Sequence, residues 1–217
     1  MPRPDLAALI DHTLLDPSAT RARVETLCAE ARQHRFKAVC LHGLWIGTAH
    51  RLLEGSGVSV CSVVGFPLGA SASEAKAFEA AEAVRSGADE IDMVISLGPL
   101  KEGLHDIVTS DIAAVVHAAR GRIVKVIIET CLLSEEEKLV ACRLSAEAGA
   151  SFVKTSTGFG GGGATVEDVA LMRRAVGQAL GVKASGGIRT IAQADALIAA
   201  GASRLGTSSG VALVTSA

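Results

Sequence analysis

The feature that most narrows the possible folds is an alternation kept along the whole chain. A short β-branched run is followed by an Ala-rich amphipathic segment, eight times over. The runs are Leu9–Thr13, Ala38–His42, Val58–Val64, Glu90–Ile95, Ile123–Glu129, Ser151–Ser156, Gly181–Ser185 and Arg204–Thr207. They are largely apolar at odd and even positions alike, so they read as strands buried on both faces, the habit of parallel sheets. The segments between them read as crossover helices, near 20–34, 44–54, 71–86, 105–119, 134–148, 165–178 and 190–200, with a short last one from about 208.

Start and stop signals agree with this reading. Ser71-x-x-Glu74 and Ser134-x-x-Glu137 have the form of capping boxes, and Thr165 precedes Val-Glu-Asp. Gly87-Ala-Asp, Gly149-Ala-Ser and Gly201-Ala-Ser recur as one helix-to-strand turn. Eight such units favour an α/β fold closed as a (β/α)8 TIM barrel over an open sheet. No linker, low-complexity stretch or charge block interrupts the 217 residues, so 1–217 reads as a single barrel domain.

Composition serves mainly to exclude. Hydrophobic residues reach 49% but aromatics only 3%, with no tyrosine, so the core must be built from Ala, Val, Leu and Ile. A net charge of −2 with both signs interspersed offers no field for nucleic acid. No apolar stretch reaches membrane-spanning length, and Met1–Asp5 lacks the apolar core of a signal peptide. The expected location is the cytoplasm. The five cysteines show no CxxC spacing and fall in or beside predicted elements, as reduced, buried thiols do. The six histidines show no HExxH or other ligand spacing, so no metal is expected.

In a barrel of this kind the reacting groups sit where strands end. Asp11, Cys40, His42, Asp92, Glu129, Lys154 and Lys183 all fall there. Alternation points Asp92, Lys154 and Lys183 inward. One such charge alone reads as a solvated rim or a structural ion pair; three together are harder to explain that way. Burial disfavours a charged amine, and a neighbouring ammonium lowers its pKa further. A lysine of ordinary pKa, about 10.4, is neutral in only about one molecule in 2,500 at pH 7. Lowering it by about three units, roughly 4 kcal/mol, recovers most of that factor. The pair Lys154 and Lys183 therefore reads as a Schiff-base site.

The loops after the seventh and eighth strands, Gly186-Gly-Ile-Arg-Thr190 and Gly206-Thr-Ser-Ser-Gly210, are expected to offer backbone N–H groups at helix N-termini to a phosphate. Gly158–Gly163 contains a formal GxGxxG, but the next strand carries Lys183 where a dinucleotide fold wants an acid. It reads instead as a flexible loop over the ligand phosphate. Ser208 and Ser209 lack His and Asp partners for a triad and read as phosphate or capping residues.

With Val153-Lys-Thr-Ser-Thr-Gly158, Val182-Lys-Ala-Ser-Gly-Gly-Ile-Arg-Thr190 and Glu90-Ile-Asp-Met-Val94 in view, the chain resembles the deoxyribose-phosphate aldolase family of class I aldolases. The likeness continues through Ile10-Asp-His-Thr-Leu14, Val60-Cys-Ser-Val-Val-Gly-Phe-Pro67, Lys125-Val-Ile-Ile-Glu-Thr130 and Gly206–Ser209. It implies reversible cleavage of 2-deoxy-D-ribose 5-phosphate to acetaldehyde and D-glyceraldehyde 3-phosphate, in deoxyribonucleotide catabolism, with no metal or organic cofactor. By position, Lys154 would form the Schiff base, Lys183 would be the neighbouring ammonium, and Asp92 would shuttle protons with a bound water. Asp11 would orient the lysines and Cys40 would line the pocket. Thr157, Gly158, Gly186, Gly187, Gly206, Ser208 and Ser209 would contact substrate or phosphate. A homodimer is suggested by the likeness alone.

Three stretches depart from the family pattern: Leu41-His-Gly43 after Cys40, Ser96-Leu-Gly-Pro99, and Phe159 with its glycine run. Two other readings stay open at this point. One is another phosphate-binding barrel, an isomerase or synthase, which would not need both lysines. The other is a non-catalytic barrel that binds sugar phosphate and forms no imine.

Overall fold

Eight strands, β1 (Ile10–Leu14), β2 (Ala38–Leu41), β3 (Ser59–Val64), β4 (Glu90–Val94), β5 (Ile123–Ile127), β6 (Phe152–Lys154), β7 (Gly181–Ser185) and β8 (Arg204–Thr207), pair in sequence order. All pairs are parallel, and β8 returns to β1 through Ile10↔Leu205, Asp11↔Gly206 and His12↔Thr207, closing the barrel. The computed structural model describes residues 3–215. Met1 and Pro2, which open the N-terminal segment read above, lie outside the described residues, as do residues 216 and 217.

The expected crossover helices are α2 (Arg21–His34), α3 (Ile46–Leu53), α4 (Ser73–Arg85), α6 (His105–Ala118), α7 (Glu135–Glu147), α8 (Val166–Val176), α9 (Ile191–Ala199) and the closing α10 (Gly210–Thr215). Two short helices were not foreseen, α1 (Pro4–Ala7) and α5 (Leu97–Lys101). Neither is long enough to show a periodic apolar face.

The recurring Gly-Ala turn has one geometry three times. Gly87, Gly149 and Gly201 take φ of 103°, 84° and 113°, a left-handed backbone that glycine adopts without steric cost. The following alanine N–H reaches back to Ala83, Ser145 or Leu197, at 2.9–3.0 Å. The next residue then donates to Val60, Val124 or Val182 and enters the sheet. Among the caps, Ser134 and Glu137 form their box and Thr165 accepts from Asp168 N–H. Ser71 does not cap: α4 begins two residues later, after Ala72.

The apolar core lies between barrel and helices. Outward residues of the strands, such as Ile91 and Met93 on β4 and Val124 and Val126 on β5, share one buried cluster with Val108, Ile112 and Val115 of α6. Each such side chain contributes roughly 1.5–3 kcal/mol when fully buried. A fully buried ion pair links α4 to α6: Lys76 Nζ lies 2.6 Å from Asp111 Oδ2. The same ammonium donates to Val94 O and Ser96 Oγ, so the pair also holds the end of β4. Leu15, Cys40, Cys61 and Val63, with Phe66, form a small separate apolar cluster. The barrel interior also holds six buried charged side chains, Asp11, Glu90, Asp92, Lys125, Lys183 and Arg204, where such barrels more often stack branched apolar ones.

Candidate active site

Residues of one parity on β1, β4, β5, β7 and β8 bring Asp11, Glu90, Asp92, Lys125, Lys183 and Arg204 together, each at most 5% exposed. Their contacts close a ring in which charges alternate. Arg204 Nη1 donates to Asp11 Oδ1 at 2.7 Å, and Asp11 Oδ2 accepts from Lys183 Nζ at 2.5 Å. Lys183 Nζ also donates to Asp92 Oδ2 at 2.7 Å, and Asp92 Oδ1 accepts from Lys125 Nζ at 2.6 Å. Lys125 Nζ lies 2.6 Å from Glu90 Oε2, and Glu90 accepts from both Arg204 nitrogens at 3.1 and 3.2 Å. Three cations and three carboxylates thus balance.

Lys154 is attached to this ring from outside. Its Nζ donates to Asp92 Oδ2 at 2.8 Å, the oxygen that Lys183 also uses. The three ring cations each have at least two carboxylates within 3.9 Å; Lys154 has this one. It is also the only one of the seven that lines the open cavity above.

The ring fixes protonation states. Burial alone would raise the Asp92 carboxyl, yet Lys125, Lys154 and Lys183 hold it well below the usual carboxylate range. Asp11 is likewise brought down to about 2, its burial outweighed by Lys183, Lys125 and Arg204. Burial works to lower Lys183, but Asp11 and Asp92 lift it well above the ordinary lysine range. The pair Lys154 and Lys183 was expected to free one amine through burial and mutual repulsion. Lys183, the amine expected to stay an ammonium, is held in that state by the carboxylates that flank it, Asp11 and Asp92.

The cavity, about 410 Å3, opens at the C-terminal ends of the strands, with Lys154 in its lining. Its walls are Thr157–Phe159, Ser185–Arg189, Gly206–Ser209 and Thr13–Asp16, with Arg23 of α2. Thr157, Gly158, Gly186, Gly187, Gly206, Ser208 and Ser209 therefore all face one space. Asp11, Asp92, Lys183 and Cys40 do not line it; they lie below, within the barrel. Cys40 is fully buried in register with Cys61 in the small apolar cluster. The strand-end residues His42 and Glu129 lie just past the observed ends of β2 and β5.

Two expectations about loops change. The entry to α9 is partly self-capped: Arg189 N–H and Thr190 N–H, just before the helix, donate to Gln193 Oε1, and Gln193 N–H donates to Thr190 Oγ1. What the loop offers the cavity is the Gly186-Gly187 turn, with φ of 87° and 79°. After β8, Ser209 N–H is taken by Thr207 Oγ1. The glycine run 158–163 also differs from a free loop: a Cβ at Gly160, Gly162 or Gly163 would lie 2.8 Å or less from Glu129, Cys131 or Gly186. Those glycines let the loop backbone pack directly on the barrel mouth.

Sequence reading missed Lys125, Glu90 and Arg204 as site residues. The parity of Ile123-Val-Lys-Val-Ile127 would have turned Lys125 inward, and Glu90 shares the parity of Asp92. Cys40, Cys61 and Asp92 place a donor atom each within 4.8 Å of one another, a spacing that a cation could use. The donors do not suit one here: Asp92 is already shared by three ammonium groups, and Lys125 lies 3.5 Å from Cys61 Sγ.

The chain and its closed eight-stranded barrel have counterparts among known proteins. Residues 6–215 match the family model described as DeoC/LacD family aldolase. The chain belongs to the DeoC/LacD family of aldolases. It is accordingly an enzyme, a carbon–carbon lyase of the aldehyde-lyase kind. It is 59% identical over 208 residues to a deoxyribose-phosphate aldolase of Brevibacillus brevis, covering 96% of this chain and 94% of that one. A deoxyribose-phosphate aldolase of a Geobacillus species is 57% identical over 211 residues, covering 97% and 95%. Among solved structures, the tetrameric deoxyribose phosphate aldolase of Aeropyrum pernix superposes with a TM-score of 0.91 at 38% identity, covering 98% of this chain and 91% of that one. No helix among the described residues is long and apolar enough to cross a membrane.

Proposed function

We propose that this aldolase reversibly cleaves 2-deoxy-D-ribose 5-phosphate to acetaldehyde and D-glyceraldehyde 3-phosphate through a Schiff base on Lys154. The observation that carries the reading is that the ring balances its own charge and leaves Lys154 over. This lysine is a fourth amine beside three carboxylates, touches one of them, and is the one of the seven groups that reaches the cavity. As a free amine at the cavity floor, Lys154 attacks the C1 aldehyde of the open-chain sugar. Loss of water gives a protonated imine, an electron sink for the pair left on C2 when the C3–C4 bond breaks.

The C3 hydroxyl proton must leave as that carbon becomes the aldehyde of the second product, and the enamine must then be protonated at C2. Asp92 is the base that manages these protons, passing them through a water that enters beside Lys154, because its own oxygens do not reach the cavity. Lys183, held as an ammonium by Asp11 and Asp92, keeps the carboxylate charge fixed and supplies the acid of the relay. Asp11 orients Lys183, and Cys40 packs beneath. Thr157, Gly158, Gly186, Gly187, Gly206, Ser208 and Ser209 hold the sugar phosphate. Arg189 brings positive charge to the same walls, suiting a dianion, while Arg23 there is paired with Asp16. Binding the remote phosphate keeps C1 in register with Lys154.

No metal or organic cofactor enters these steps. The enzyme works in the cytoplasm in the breakdown of deoxyribonucleotides, as a homo-oligomer, with a dimer as the simplest form. A coupled assay for glyceraldehyde 3-phosphate tests the reading. Purified enzyme should release it from 2-deoxy-D-ribose 5-phosphate, and Lys154→Met should not. Release by neither, or equally by both, would refute the assignment. An isomerase or a binding barrel predicts no release from either.

A further inference from the structure

Glu129 stands outside the ring and yet is buried, 2% exposed, just after β5. Its φ is 54°, a left-handed backbone that a residue with a side chain adopts only at a cost. Its carboxylate accepts from Thr157 N–H, at 3.3 Å to Oε1 and 3.2 Å to Oε2, and from the Thr157 hydroxyl through Oε2. The same hydroxyl oxygen accepts the N–H of Phe159 at 3.0 Å. The carboxylate also underlies Gly160, where a Cβ would lie 2.8 Å from Glu129 Cδ.

A threonine hydroxyl has one proton to give. Here that proton is committed to Glu129. Toward the cavity that Thr157 lines, its oxygen can therefore only accept. We propose that Glu129 is a positioning residue that fixes Thr157 as the acceptor for a hydroxyl of the substrate. The mouth thereby selects a sugar phosphate with a free OH at that point over one with a carbonyl or ether oxygen, neither of which could donate. This rests on the aldolase reading above and adds to it a source of selectivity.

The test separates this role from that of a mere loop clamp. In Glu129→Gln the amide can donate to Thr157 Oγ1 and reverse the hydroxyl; in Thr157→Val the hydroxyl is gone. Both variants and the double variant are assayed for cleavage of 2-deoxy-D-ribose 5-phosphate. They are also assayed for borohydride trapping of acetaldehyde on Lys154, which needs no substrate hydroxyl. E129Q should lower kcat/KM by about tenfold or more alone, but by less than about twofold on the T157V background, as expected for residues acting through one contact. Trapping should stay at the wild-type level throughout.

Equal losses on both backgrounds would reduce Glu129 to a clamp, and no loss on either would remove it from recognition. Loss of trapping along with cleavage would mean a collapsed mouth, and would likewise overturn the proposal. Should E129Q fail to fold, Glu129→Asp keeps the charge but falls one methylene short of Thr157, and the same pattern is expected of it. Absence of trapping in the wild-type enzyme is the distinct result that would sink the aldolase reading itself.

Discussion

Lys154 and Lys183 donate to a single oxygen, Oδ2 of Asp92, at 2.8 and 2.7 Å. The two amines are thus neighbours through a carboxylate rather than through bare repulsion. Only Lys183 has a second carboxylate, Asp11, on its other side. That asymmetry divides the pair into an ammonium held between two carboxylates and a lysine open to the cavity.

Removing the ammonium should cost chemistry and stability together. Lys183→Leu leaves Asp11 and Asp92 facing hydrocarbon, which by analogy with broken buried pairs costs about 3–5 kcal/mol. Loss of its share in proton transfer should lower kcat by roughly 100-fold or more. Steady-state cleavage of 2-deoxy-D-ribose 5-phosphate, with its pH profile, measures the second effect. Turnover and profile both unchanged would refute the pairing.

Acid should weaken the fold through Asp11. Its carboxyl falls from the ordinary 3.8 to about 2 in the folded protein. A depressed folded-state value contributes stability that is full above the unfolded pKa and is lost as pH falls through the folded one. The window is therefore pH 4 down to pH 2, and the size is about 2 kcal/mol. Urea unfolding midpoints should drop across that window in the wild type. In Asp11→Asn the drop should be smaller.

The ring should behave unlike surface pairs. Arg204→Met opens the ring, leaving Asp11 to Lys183 and Glu90 to Lys125 with one negative charge in excess, and should destabilise by about 3 kcal/mol, read as a fall in thermal midpoint. The Arg143–Glu147 pair on α7, 3.0 Å apart and half exposed, makes the contrast. Arg143→Ala should change stability by less than about 0.5 kcal/mol.

A methyl group can test the packed loop without touching the chemistry. A Cβ at Gly163 would meet Gly186 O at 2.4 Å, so Gly163→Ala must push the loop off the Gly186-Gly187 turn. KM for the sugar phosphate should rise about tenfold with kcat nearly kept, the sign of lost uniform binding. A lower kcat at unchanged KM would place the loop's influence at the reacting carbons instead.

The barrel was legible because its strands are apolar on both faces, and because Gly-Ala-Asp and Gly-Ala-Ser write the same turn three times. Lys154, Lys183 and Asp92 were legible as inward charges at strand ends. Their partners were less so. Asp11 lies 172 positions from Lys183, and only barrel closure through β8 brings them within bonding distance. Arg204 opens its strand rather than closing it, a place that reads as the solvated rim, yet it completes the ring. Ser71 shows the limit of a local motif: the capping pattern is present, but the chain enters α4 two residues later. The self-capping of α9 by Thr190 and Gln193 was spelled in the sequence as well, and it competes with the anion site expected there.

Reductive trapping decides whether Lys154 is the amine the ring leaves open to a carbonyl. Enzyme treated with acetaldehyde and borohydride is digested and its peptides are weighed by mass spectrometry. Wild-type enzyme should carry one ethyl group, on Lys154, and Lys154→Met none. An ethyl group on Lys183 or Lys125 instead, or no covalent product from active wild-type enzyme, would contradict that assignment.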